Sequence, residues 1–138
     1  MKTETLSADG LTIRRQVLGD EYVDRALSPD DSLSLGFQPL VTNYCWDEIW
    51  TDTTLSLRER SIIVLAITGS MGRMGEFRAH TLGAINNGIT EAEMLALLKQ
   101  LAVYAGMPAG VSGLKAMREV LAERPRAPRS QNPSRGNQ

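Results

Sequence analysis

A short apolar run constrains the fold of this chain more than any other feature. The run Ile62–Ile67 follows Ser56 and Glu59, which have the spacing of a helix capping box. This cap, and the lack of strict alternation, predict a helix rather than a strand. A helix that is apolar on every side is buried on every side, and a chain of 138 residues achieves that most easily by self-association. The run therefore predicts an oligomer.

The rest of the chain shows further helical patterns separated by short turns. No segment has the repeated alternation that a sheet requires. We therefore predict an all-α, compact subunit of six to seven helices. Besides the helix that contains the apolar run, the predicted helices are Asp9–Leu18, a second helix capped by Asp20 and ending at Leu27, Gly36–Trp50, a helix from about Arg73 to Asn87, one opened by a Thr90/Glu93 capping box and ended by Gly106, and one from about Ala109 to Glu123.

The length fits one domain, residues 1–123, followed by a tail, residues 124–138. The tail is rich in Pro, Ser and Asn, and it contains four arginines and no acid. We predict that it is disordered. A basic tail could contact RNA or an acidic partner, but a solubilising end is the preferred interpretation.

Composition excludes several classes of protein. The formal net charge of −1 argues against a nucleic-acid binder, and the lone Cys45 and His80 rule out thiol-pair or multi-histidine metal sites, although carboxylates could hold a hard cation. The N-terminus lacks the pattern of a signal peptide, and no apolar run is long enough to cross a membrane. We therefore expect a cytoplasmic protein.

The densest polar cluster consists of Arg73, Glu76 and His80. Their spacings of three and four residues place them on one helix face. There the arginine could hold a carboxylate, the histidine could exchange a proton near neutral pH, and the glutamate could orient the imidazole or carry a proton itself. The alternative is an ordinary Glu76–His80 pair on a solvated face.

Other polar and aromatic residues are weaker candidates. Arg60 could reach inward with its stem packed. Trp46 and Trp50 lie one turn apart, a spacing more often found in a core or an interface than around a ligand. The adjacent Arg14 and Arg15 suggest one solvated side chain and one paired with an acid.

Five segments cover nearly the whole body of the chain. In chain order they are RRQVLGDEYVDRAL (14–27), FQPLVTNYCWDEIWT (37–51), LSLRERSIIVLAI (55–67), EFRAHTLGAINNGIT (76–90) and LLKQLAVYAGMPAG (97–110). Taken in this order, they resemble the γ-carboxymuconolactone decarboxylases of aromatic catabolism.

The resemblance implies an all-helical subunit in a ring-like hexamer, a trimer of dimers. It also implies that the enzyme decarboxylates a lactone dicarboxylate to β-ketoadipate enol-lactone without a cofactor or metal. Two cysteines of the related alkylhydroperoxidases look to be replaced here by Arg73 and Glu76, which excludes a thiol peroxidase.

For this chemistry we predict His80 as the general acid, with Glu76 fixing its tautomer and Arg73 holding the carboxylate that is not lost. Arg60, Trp46 and Trp50 are the candidates for substrate binding. The expected partners are a small lactone dicarboxylate and further copies of the chain, with no nucleic acid and no membrane. Two alternatives stay open: an enzyme of the same fold acting on another carboxylated or lactone substrate in a biosynthetic pathway, and a non-catalytic oligomeric binding protein.

Overall fold

A computed structural model describes residues 4–124, and every regular element in that range is helical. This confirms the all-α prediction for the described part of the chain. The elements are α1 (Ala8–Leu18), α2 (Asp20–Leu27), α3 (Ser32–Pro39), a π-helical segment (Leu40–Trp50), α4 (Leu57–Ser70), α5 (Met74–Asn86), α6 (Glu91–Ala105) and α7 (Met107–Glu123).

Both predicted capping boxes are confirmed. At the start of α4, the Glu59 amide donates to Ser56 Oγ at 3.1 Å, and the Ser56 amide donates to Glu59 Oε1 at 3.1 Å. Thr90 and Glu93 make the same reciprocal pair at the start of α6. These bonds satisfy backbone donors that would otherwise lack partners, and such a cap typically contributes about 1 kcal/mol.

The prediction that Asp20 caps α2 is wrong. Gly19 occupies the cap position with φ +87° and no side-chain bond, and its own amide donates to the Arg15 carbonyl to close α1. Asp20 instead accepts from Arg15 at 3.3 Å. Gly106, with φ +108°, serves α6 and α7 in the same way, so α7 begins two residues earlier than predicted. Glycine suits both junctions because it adopts positive φ without strain.

The predicted helix Gly36–Trp50 begins earlier, at Ser32, and changes its winding at Pro39. A proline supplies no N–H, and its ring crowds the carbonyl four residues earlier. The hydrogen-bond ladder continues from Leu40 with the wider spacing of a π-helix. This wider segment carries both tryptophans.

Helix α5 lies between two groups of buried side chains. Phe77 packs with Leu65 and Met117 on one side, whereas Ala79 packs with Val17 and the tryptophans on the other. Close approach to α1 depends on the absence of a side chain at residue 83, where a Cβ would lie 2.9 Å from Val17 Cγ1. The side chains of α5 therefore meet α1 and the π-helical segment directly.

Helix α4 is not buried on every side in a single subunit. Leu65 is fully buried, but Ile62, Ile63 and Ile67 are exposed. The described residues of the subunit leave these three side chains partly accessible to solvent. The predicted disordered tail lies outside the described residues from position 125 onward, while Arg124 pairs with Glu91 at 3.5 Å.

Candidate active site

Three aromatic rings stack against one another where α5 meets the π-helical segment. The indoles of Trp46 and Trp50 are 4.8 Å apart between centroids. The His80 imidazole lies 6.0 Å from Trp46 and 5.7 Å from Trp50, with its plane inclined by only 12° and 15° to theirs. The structure thus brings together three of the six predicted site residues.

The two tryptophans are almost completely enclosed. Their exposed fractions are 3% for Trp46 and 4% for Trp50, so little of either ring is left for a ligand. Both indoles stack against the His80 imidazole. As sites of direct substrate contact they are weaker candidates than the sequence suggested.

Burial determines the charge of His80. Loss of solvation lowers the pKa of the imidazole from 6.5 to about 4, and the carboxylate of Glu76, one turn earlier, opposes that shift only in part. At neutral pH the free subunit therefore carries an uncharged His80. Its Nδ1 atom is buried and has no hydrogen-bond partner, so the bond through which Glu76 would fix the tautomer is not made in this state.

Arg73 and Glu76 lie at the exposed start of α5. Arg73 precedes the first helical residue, and its amide donates to the Thr68 carbonyl at 2.9 Å. Within residues 4–124 neither side chain belongs to an ion pair. Both are therefore available to a ligand that approaches His80 from this end of the helix.

Arg60 reaches inward from α4, as predicted. Its side chain is 12% exposed, and Nη2 donates to the Asp52 carbonyl at 2.9 Å and lies 3.7 Å from Asp52 Oδ2. The Nε atom is buried without a partner. Arg60 thus supports the turn that follows Trp50, and it retains one unused donor.

A cavity of about 440 Å³ lies between α1 and the turn 51–56, with Trp50 in its lining. Asp9, Asp47 and Asp52 also line it. Three carboxylates repel a dianion, so this cavity is a poor site for a dicarboxylate substrate.

One polar residue on the neighbouring helix was misjudged from the sequence. Arg15 is paired with Asp20 and Asp24, as expected of one member of the Arg14–Arg15 pair. Arg14 is not solvated, however; it is buried between α1 and the π-helical segment. Nothing in the local pattern distinguishes the two arginines, because their environments depend on how the helices pack.

The described residues contain neither a metal-binding cluster nor a membrane-spanning helix. No group of three or more His, Cys, Asp or Glu side chains there is arranged to hold a metal ion. No helix within 4–124 is both long and apolar enough to span a membrane.

Comparison with known proteins agrees with this arrangement. Residues 36–119, which include the aromatic stack, Arg60 and all of α5, match the carboxymuconolactone decarboxylase family. The chain belongs to this family. It is 31% identical to the 4-carboxymuconolactone decarboxylase of Acinetobacter baylyi over 96% of its own length and 98% of that protein. It is 34% identical to the nitrosuccinic acid decarboxylase of Metarhizium robertsii over 77% of its length and 74% of that protein.

Both relatives are named as decarboxylases, and the chain is accordingly an enzyme of the carboxy-lyase class. This decides against the non-catalytic binding protein left open by the sequence. Their names give different substrates, so membership of the family does not by itself determine the substrate of this chain.

Proposed function

We propose that this enzyme decarboxylates 4-carboxymuconolactone to β-ketoadipate enol-lactone, in the catabolism of aromatic compounds. The relative from Acinetobacter baylyi, which carries that name, aligns over nearly the full length of both chains. The observation that supports the chemistry is the enclosed imidazole of His80, whose pKa is lowered to about 4, on a helix that carries an exposed arginine and an exposed glutamate at its start.

The reaction requires one proton and no external electron acceptor. When the carbon–carboxylate bond breaks, its electron pair spreads through the unsaturated lactone onto the carbonyl oxygen, and CO2 leaves. A proton then returns to a ring carbon as the enolate collapses. Since the lactone itself accepts the electrons, we propose that the reaction proceeds without a cofactor.

His80 supplies that proton in our proposal. With a pKa of about 4 it is neutral in the free enzyme, but a dianion bound nearby favours the imidazolium and raises the pKa. Substrate binding would therefore charge His80 only when a proton is needed.

In this proposal, Arg73, Glu76 and Arg60 have the remaining roles in binding and catalysis. Arg73, exposed at the start of α5, holds the carboxylate that stays, and Glu76 helps to keep the proton on His80. The leaving carboxylate is better placed away from Arg73, because poor solvation favours its loss. The free Nε of Arg60 is a candidate donor to the enolate oxygen.

We also propose that the enzyme works as a ring-like homo-oligomer, a hexamer built as a trimer of dimers. The exposed isoleucines of α4 support this, and so do large apolar side chains exposed elsewhere on the surface. The substitution Ile63→Lys places a charge on this apolar surface and should lower the particle mass measured by light scattering. Glu48→Lys, at another exposed position, should leave the mass unchanged.

A second candidate is decarboxylation of another carboxylated substrate, which the name of the relative from Metarhizium robertsii favours. As its name states, nitrosuccinic acid carries a nitro group, which could accept the electron pair as the lactone does. The two candidates therefore share His80 as proton donor and differ in the group that stabilises the carbanion.

The deciding experiment measures CO2 release and the ultraviolet change with freshly prepared 4-carboxymuconolactone in metal-free buffer. Wild type, His80→Ala and His80→Gln would be compared, with nitrosuccinate as the second substrate. We expect wild type to turn over the lactone and both variants to lose roughly 10²-fold or more of kcat. Equal turnover by all three would remove His80 from the mechanism, and turnover of nitrosuccinate alone would overturn the proposed substrate.

A further inference from the structure

Arg14 is a buried cation with no counterion among the residues that the structure describes. It is 4% exposed, and within residues 4–124 it belongs to no ion pair. Its two hydrogen bonds go to neutral oxygens, Gln38 Oε1 at 2.9 Å and Thr42 Oγ1 at 3.1 Å. Its neighbour Arg15, by contrast, lies at the surface and has two aspartate partners.

The surroundings of Arg14 leave its charge uncompensated. The ionisable groups that act on it are the Tyr22 phenol, the Cys45 thiol and Arg15. Phenols and thiols are ordinarily uncharged near pH 7, and burial raises the pKa of Cys45 further. Burial also lowers the pKa of Arg14, but a guanidinium remains protonated in proteins. Arg14 therefore cannot relieve the cost of burial by losing its proton.

One edge of the guanidinium is unused. Both hydrogen bonds leave from Nη1, while Nε is buried and has no acceptor. The edge formed by Nε and Nη2 presents two parallel N–H groups, which is the geometry that binds a carboxylate through two bonds. A buried charge is stable when it is paired and costly when it is not.

We propose that the Nε–Nη2 edge of Arg14 is a carboxylate-binding site. The carboxylate comes either from the small-molecule substrate or from an acidic side chain of a second copy of the chain. The position of Arg14 favours the substrate as the source of the carboxylate. Its hydrogen-bond partner Thr42 lies one turn before Trp46, and the indole of Trp46 stacks on His80. With the substrate as its source, the inference rests on the proposed function and adds a second anchoring cation to it.

The test observes the Arg14 Nε–H group directly by NMR in full-length protein labelled with 15N-arginine. Arg14→Lys identifies the resonance by removing it, and Arg15→Lys is the matched control. Adipate, a stable six-carbon dicarboxylate, serves as the probe. We expect a saturable downfield movement of the Arg14 resonance in wild type and in Arg15→Lys, and roughly tenfold or greater weakening of adipate binding in Arg14→Lys.

The possible outcomes separate the two sources. Movement with adipate supports a small-molecule carboxylate. A resonance that is already downfield without adipate, and that returns upfield as the protein is diluted to monomer, supports a carboxylate from a second copy. A resonance that stays at the position of a hydrated arginine at every concentration of adipate and protein overturns the proposal. If Arg14→Lys folds poorly, triple-resonance assignment of the wild-type protein identifies the Arg14 resonance instead, and the adipate titration of wild type still decides the outcome.

Failure of this inference is distinguishable from failure of the proposed function. Turnover of 4-carboxymuconolactone with a resonance that never moves would leave the activity standing and exclude Arg14 as an anchor. Movement with adipate but no turnover of the lactone would retain the carboxylate site and redirect the search for the substrate.

Discussion

The imidazole of His80 lies face to face with the indole of Trp50, with centroids 5.7 Å apart and planes inclined by 15°. This pair joins the middle of α5 to the last residue of the π-helical segment. It places the one histidine of the sequence in an apolar environment, where its neutral form is favoured.

The free enzyme should lose stability as the pH falls from about 6.5 to about 4. The unfolded chain binds a proton near the ordinary histidine pKa, whereas the folded chain resists protonation until the pH approaches 4. The stabilisation present above pH 6.5 should thus decline by up to about 3 kcal/mol and then level off. Urea unfolding at several pH values measures this change. His80→Gln should lack this component, and an equal decline in that variant would contradict the assignment.

Removing one indole should restore a more ordinary pKa to His80. In Trp50→Leu, water reaches the imidazole, and its pKa should rise by about one unit or more. Because the sequence contains a single histidine, its NMR titration requires no further assignment. Tyr44→Leu, an exposed substitution on the same segment, should leave the titration unchanged. Equal titration curves for Trp50→Leu and wild type would show that the stack does not control the charge.

Arg73→Ala should chiefly raise KM for a dicarboxylate substrate. The side chain is exposed at the start of α5 and has no acidic partner in the described chain, so its loss should remove a substrate contact at little cost in stability. We expect a roughly tenfold increase in KM, the size of one charge-assisted contact. Arg118→Ala provides a matched exposed arginine on α7. A fall in kcat with unchanged KM would contradict the anchoring role.

Gly10→Ala should destabilise the fold strongly, whereas Gly36→Ala should not. A Cβ at residue 10 would lie 2.3 Å from the Thr42 carbonyl oxygen, which would force α1 away from the π-helical segment. A Cβ at residue 36 meets nothing within 4 Å and should stabilise α3 by up to about 1 kcal/mol. Thermal unfolding distinguishes them, with a loss of about 1–3 kcal/mol or more expected for Gly10→Ala. Similar melting temperatures would show that the helices can separate without cost.

Features that depend on local sequence were predicted well. The capping boxes at Ser56 and Thr90 were recognised because each consists of two residues three positions apart. The helix of His80 was predicted to within one residue at each end, since Gly72 and Gly88, both with positive φ, bound it in the chain.

Features that depend on how the helices pack against one another were not predicted from the sequence. The pattern of Trp46 and Trp50 indicated a helix, but their contact with His80 arises only when α5 lies against the π-helical segment. The burial of Arg14 was missed for the same reason. The change of winding at Pro39, by contrast, follows from the missing N–H and the ring of the proline, a local signal that was overlooked. The role of Asp20 was misassigned because Gly19 already closes one helix and opens the next.

The single-residue glycine junctions at positions 19 and 106 should resist proteolysis. Proteases need several residues of extended backbone, and neither junction offers a linker. The longest connection between described helices is the turn 51–56, which also borders the acidic cavity and contains the carbonyl bound by Arg60. Limited digestion should therefore begin in this turn, and cleavage there would release the end of the segment that supports His80.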